Sequence, residues 1–90
     1  MSEITQIEQE LLLLGRAIRE IREQHGIAIG ELAAGTGVDR ARIEALEEAR
    51  LDPDYELLLR LAEGIGVRVS TFVVRAEELV CLTVSPRRAR

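Results

Sequence analysis

Between Ile4 and Ile21 the apolar residues return at alternating steps of three and four: Ile4, Ile7, Leu11, Leu14, Ile18 and Ile21. A strand repeats every second residue, so this spacing marks one face of a helix. It predicts a long first helix over about Glu3 to Gln24, whose apolar stripe other segments must cover. Gly26 supplies the stop. His25, just before it, falls near the helix C-terminus, where a polar or positive side chain suits the macrodipole.

Ninety residues provide one core, and are too few for a second, effector-sensing domain beside it. Aromatic residues are limited to Tyr55 and Phe72, so the core has to be built from Leu, Ile, Val and Ala, a composition suited to helices packed on helices. The single cysteine, Cys81, has no internal disulfide partner and reads as a small buried apolar side chain. No basic-then-apolar leader and no run of 18 apolar residues occurs, which places the expected protein in the cytoplasm, away from membranes.

Beyond Gly26, the short apolar-faced segment from Ile29 to Ala34 ends at Gly35-Thr36-Gly37, a glycine pair suited to a tight interhelical turn. Asp39 then reads as the N-cap of a third helix, about Arg40 to Glu48. This helix buries Ile43 and Leu46 and leaves Arg40, Ala41, Arg42, Glu44 and Ala45 to its other faces. Pro53, flanked by Asp52 and Asp54, lies in a loop before a fourth helix to about Gly64, with Tyr55, Leu58, Leu61 and Ala62 facing the core. Gly64 and Gly66 close it, and Ser70 is placed to cap a fifth helix through Phe72, Val73 and Ala76 to about Leu79. Val80 to Val84 alternate weakly and fit a strand, a helix extension or an ordered tail; Pro86 and the basic Arg87 to Arg90 follow.

The sequence offers no phosphate-binding glycine loop and no cluster of Cys, His and carboxylates at metal spacing. Its adjacent carboxylates, Glu47-Glu48 and Glu77-Glu78, point about 100° apart on a helix and do not form an acid/base dyad. With one His and one Cys, no nucleophile, base and orienting group assemble, so neither an enzyme nor a cofactor is expected. The net charge of −4 argues against a protein that coats nucleic acid indiscriminately. All 12 basic residues are arginine, the side chain suited to bidentate contact with phosphate or guanine.

Two short helices joined by a glycine turn, the second with an exposed polar face, form the arrangement that seats a helix in the major groove. The run Arg19 to Ile27, then Glu31-Leu32-Ala33, Gly37-Val38, Ile43, Leu46-Glu47, Pro53 and Leu58 to Ala62, resembles the Cro/C1-type (XRE) repressors over about Leu14 to Val69. The resemblance implies an all-α, five-helix, lambda-repressor-like domain with an extended first helix. Ala28 to Ala34 becomes the positioning helix and Arg40 to Glu48 the recognition helix. It also implies base-reading positions at Arg40, Ala41 and Ala45, an approach of Ile29 and Gly30 to the DNA backbone, and a structural ion pair between Arg22 and Glu47.

Two features depart from that pattern. Ala28 and Ile29 stand where a hydroxyl cap and a phosphate-holding Gln are usual, although Glu31 retains half of a capping box. Residues 39–50 carry three positive and four negative charges, and pairing of Glu47 with Arg22 brings the exposed balance to zero. Arg40, at the start of the recognition helix, is the expected guanine reader, its alternative being a solvated pair with Glu44; Arg42 and Arg50 are the phosphate candidates. The expected partners are double-stranded DNA and a second copy of the chain, through the fifth helix, Val80 to Val84 and the N-terminal stripe. Packing of that stripe on the same chain's own C-terminal segment is the alternative. A protein partner in place of DNA is the competing reading, and would show an apolar or acidic patch centred on Ile29. The expected division is an extension at 1–13, the helix-turn-helix domain at 14–79 and a tail at 80–90.

Overall fold

The computed structural model describes residues 6–83; Ile4, Val84, Pro86 and the Arg87 to Arg90 tail lie outside the described residues. Five helices follow one another: α1 (Gln6–Gln24), α2 (Ile29–Thr36), α3 (Arg40–Glu47), α4 (Tyr55–Ile65) and α5 (Val69–Thr83). Helix α1 packs against α5 and α3, and α2 packs against α3 and α4. Phe72, Ile18, Leu32, Ile43, Leu46, Leu57 and Leu61 are fully enclosed, so every helix contributes to the centre. The all-α, five-helix expectation therefore holds for the described residues, which contain no strand.

The face that α1 buries differs in phase from the expected stripe. Ile18 and Ile21 are buried, but further back the buried residues are Leu13 and Ala17, with Leu11 and Leu14 only half-buried and Ile7 72% exposed. Four consecutive leucines, 11 to 14, leave the phase of the stripe undecided, and small residues settle it. Gly15 brings α1 against the end of α3, where an added Cβ would lie 2.5 Å from the Leu46 carbonyl oxygen and 2.7 Å from that of Glu47. Ala17 joins Leu13, Ala76 and Leu79 in a second, smaller cluster between α1 and α5.

Helix α5 continues past Leu79 to Thr83, so the described part of the 80–84 segment is a helix extension, and Val80 packs on the Leu13–Leu79 cluster. That extension turns Cys81 outward, correcting the buried reading: its neighbours on the α5 stripe are Phe72, Ala76 and Leu79, and residue 81 falls off that face. Tyr55 is likewise 66% exposed instead of buried. It is the first residue of α4, ahead of the point where Leu57, Leu58, Leu61, Ala62 and Ile65 enter the core. Ser70 lies within the first turn of α5, which begins one residue earlier, so it is not the cap.

Local capping fixes the remaining boundaries. Asp54 Oδ1 accepts the Leu57 N–H at 2.8 Å at the start of α4. Gly66 ends that helix in the left-handed region, its N–H bonded to the Ala62 carbonyl. His25 Nδ1 lies 2.9 Å from the Ile21 carbonyl oxygen at the end of α1, the satisfied role its position suggested. Among the described residues no buried side-chain nitrogen or oxygen lacks a partner.

Candidate nucleic-acid interface

The connection between α2 and α3 is built by Thr36 and Gly37. The Thr36 hydroxyl donates to the Leu32 carbonyl at 2.7 Å and accepts from the Val38 N–H at 3.2 Å. Gly37 takes φ 76°, a left-handed conformation, and its N–H bonds to the Ala33 carbonyl at 2.9 Å. Val38 then drops into the core. Helix α2 thus runs through Gly35 to Thr36, two residues beyond the expected Ala34, and only the second glycine of the pair makes the turn. Asp39 precedes α3 without a side-chain cap, correcting that reading, while its backbone carbonyl accepts the Arg42 and Ile43 N–H groups that open the helix. Its carboxylate is left to the surface.

Arg22 locks this unit from behind. Its Nε donates to Glu47 Oε2 at 2.8 Å, Nη2 to Glu47 Oε1 at 3.1 Å, and Nη1 to the Ile27 carbonyl at 2.9 Å. One guanidinium therefore ties α1, the α1–α2 loop and the end of α3 together, with side chains only 9% and 5% exposed. The hydrogen bonds to Glu47 raise the Arg22 pKa further above its ordinary value, so the guanidinium stays charged. At the far end of α3, Ala49 adopts φ 61° and Arg50 N–H reaches the Ala45 carbonyl at 2.7 Å, a helix end in which alanine occupies a place favouring glycine.

With Ile43 and Leu46 inward, α3 turns Arg40, Ala41 and Arg42 out to solvent and leaves Glu44 and Ala45 half-exposed. Arg40 lies close to the start of α2: a Cβ placed on Gly30 would sit 3.8 Å from Arg40 Nη1. Ile29 packs its side chain against the core, so an approach to DNA there would use its backbone. At the α2 start, Glu31 Oε1 accepts the Ala28 N–H at 2.8 Å, the surviving half of the capping box.

Every arginine of this face has a carboxylate neighbour. Arg40 Nε donates to Glu44 at 3.1 Å, Arg42 lies 3.6 Å from Asp54, and Arg50 bonds Glu48 through Nε and Nη2 at 3.0 and 2.8 Å. Arg60 on α4 pairs with Glu56 at 2.9 Å and borders the groove shared by Asp39, Arg42 and Asp54. The sequence reading missed Arg60; its spacing of four from Glu56 was the available signal. Exposed pairs of this kind hold by only about 0.2–1 kcal/mol each, so a phosphate or a base edge can replace the carboxylate. Among the described residues no group of His, Cys, Asp and Glu is arranged to hold a metal. No helix among them is long and apolar enough to cross a membrane.

A short helix held by its back face, turned out beside a second helix across a left-handed glycine, defines a helix-turn-helix domain. The chain belongs to the helix-turn-helix family of the Cro/C1 (XRE) type, whose model matches residues 18–72. It is 32% identical over 60 residues to the HTH-type transcriptional regulator SutR of Escherichia coli K12, covering 67% of this chain and 34% of SutR. It is 34% identical over 53 residues to the putative HTH-type transcriptional regulatory protein MJ1164 of Methanocaldococcus jannaschii, covering 59% and 17%. The chain thus spans a minor part of the length of either relative. Among solved structures, it is similar to the clp gene regulator ClgR from C. glutamicum, with a TM-score of 0.76, 27% identity, and coverage of 82% of this chain and 96% of that one. The restriction-modification controller protein C.AhdI from Aeromonas hydrophila, at a TM-score of 0.66, 24% identity and coverage of 69% and 94%, shares the fold. The family and these relatives are transcriptional regulators, not enzymes.

Proposed function

We propose that this chain is a sequence-specific DNA-binding transcriptional regulator that works in the cytoplasm as a homodimer, without a cofactor, and inserts α3 into the major groove. The observation that carries the reading is the pinning of α3: Ile43, Leu46 and the Arg22–Glu47 pair hold its back, and Arg40, Ala41 and Ala45 remain on the outside for base edges. Ile29 and Gly30 would approach the DNA backbone through their amides, and Arg42 and Arg50 would meet phosphates. Residues 14–79 form the proposed DNA-binding domain, flanked by the extension 1–13 and the segment 80–90.

We assign the dimer to α1 and α5, the helices that expose Ile7, Leu12, Val73, Val74 and Leu82. A two-fold pair of half-site readers supplies affinity that one charge-balanced module lacks. Sedimentation at micromolar concentration is expected to give twice the 10.0 kDa chain mass, and a species of 10.0 kDa alone would remove the dimer.

Fluorescence-anisotropy titration of a short DNA library at about 50 and 200 mM salt, with wild type and Arg40→Ala, tests the reading as a whole. Selection of a near-palindromic site that Arg40→Ala no longer distinguishes is the expected result, with a discrimination loss of about 1–3 kcal/mol. The pairing of Arg40, Arg42, Arg50 and Arg60 with carboxylates favours a second reading, a helix-turn-helix used to bind another protein. Absence of DNA binding at the lower salt would favour it.

A further inference from the structure

On the outward side of α3, side chains able to hydrogen-bond are few. Glu47 is taken by Arg22, Arg42 reaches across to Asp54, and Ala41 and Ala45 carry only methyl groups. What remains is Arg40 and Glu44, one helical turn apart, joined through Arg40 Nε at 3.1 Å and with side chains 63% and 41% exposed. The proposed base reader is therefore half of a pair.

Resting on the DNA-binding reading above, we infer that Glu44 is a second specificity-determining residue: it holds Arg40 in a guanine-reading pose and repels the phosphates of incorrect sequences. A guanidinium can be bonded along its Nε side or at its two terminal nitrogens. Glu44 occupies Nε, and among the described residues the terminal nitrogens take no further hydrogen bond. Those two nitrogens form the fork that matches O6 and N7 of guanine. The guanidinium lies beside the start of α2, with Nη1 3.8 Å from where a Cβ on Gly30 would stand. A side chain already held in its bound pose loses less freedom on binding.

On a sequence without the guanine, Arg40 has only phosphates to bond, and the Glu44 carboxylate faces those same phosphates from one turn away. Juxtaposed like charges penalise that wrong complex more than the right one, the repulsive element that specificity requires. The near-neutral α3 surface, which weakens general attraction to DNA, thereby raises the contrast between sites.

The test uses a duplex selected by the wild type from a random library and a scrambled duplex of the same composition, titrated at fixed salt. Wild type is compared with Glu44→Gln and with the charge-matched control Glu63→Gln on the exposed side of α4. Glu44→Gln is expected to tighten scrambled-duplex binding about tenfold while changing selected-duplex binding less than about twofold, lowering the specificity ratio. Circular dichroism confirms that the half-exposed substitution leaves the helices intact. The inference is overturned if Glu44→Gln moves both duplexes by the same factor as Glu63→Gln. Loss of the selected duplex alone also overturns it: Gln keeps an oxygen able to hold Arg40 Nε, so such a loss would mean that the carboxylate supports operator binding instead of repelling phosphate. A wild type that selects no sequence is a different outcome, reached before any variant is compared: it overturns the DNA-binding reading, and this inference with it.

Discussion

The two ends of α1 are packed by different means. The C-terminal half, with Ile18, Ile21 and Arg22, enters the main core beneath the helix-turn-helix, where one guanidinium satisfies both Glu47 oxygens and the Ile27 carbonyl. The N-terminal half meets α5 through a smaller cluster, Leu13, Ala17, Ala76 and Leu79, with Ile7, Leu12 and Leu82 left outside. Both ion pairs to other helices leave the C-terminal half, but Arg75 and Glu20, on its α5 side, keep about a third of their side-chain surface exposed whereas Arg22 and Glu47 are closed off. The first region is complete within one chain, as a scaffold that must aim α3 requires. The second has apolar surface to spare and suits association.

Substitutions around α1 and α3 should grade these contacts. The largest effect is expected from Glu47→Ala, which strands the buried Arg22 charge and should lower unfolding free energy by about 3–5 kcal/mol in a urea titration. Gly15→Ala, which forces a Cβ onto backbone carbonyls of α3, should cost about 1–3 kcal/mol by the same assay. Ala49→Gly works in the opposite direction: relief of the left-handed strain outweighs glycine's greater chain entropy and should stabilise by about 0.5–1 kcal/mol.

The smallest effect lies at the half-exposed ion pair between α1 and α5. The hydrogen bond from Arg75 holds the Glu20 carboxyl below its ordinary value of 4.5, with the charges of Arg75 and Arg16 acting the same way against desolvation. A depressed folded pKa means that this contribution is present above pH 4.5 and is lost as pH falls below it. Glu20→Gln should therefore lower stability slightly near neutral pH and flatten its acid decline. Equal acid sensitivity of wild type and variant would show that the pair contributes nothing measurable.

The helix-turn-helix was legible because its signals are local. The spacing of Ile43 and Leu46, Asp54 before α4 and Gly37 in the turn each act within a few residues, and the family resemblance carried the distant Arg22–Glu47 pairing that spacing alone does not give. What was not legible depended on rotation and reach. The leucine run 11–14 allows more than one buried face until Gly15 and Ala17 meet α3 and α5, and Cys81 and Tyr55 sit just off, or just ahead of, the stripes that enter the core. On the exposed face of α3 the Arg40–Glu44 pair was legible from its spacing of four, but the pairings that cross between elements were not. That Arg42 would reach Asp54, and that the Asp39 carboxylate would not cap α3, are outcomes of how α3 meets α4 and the turn.

The central claim, that the closed region presents α3 to DNA while the open region does not touch it, is tested most directly by following backbone amide NMR signals as a selected duplex is added. The account predicts that shifts concentrate at Ile29 to Glu31 and Arg40 to Ala45, with α5 unmoved. Shifts confined to α1 and α5, or no shift at any ratio of DNA to protein, would contradict it.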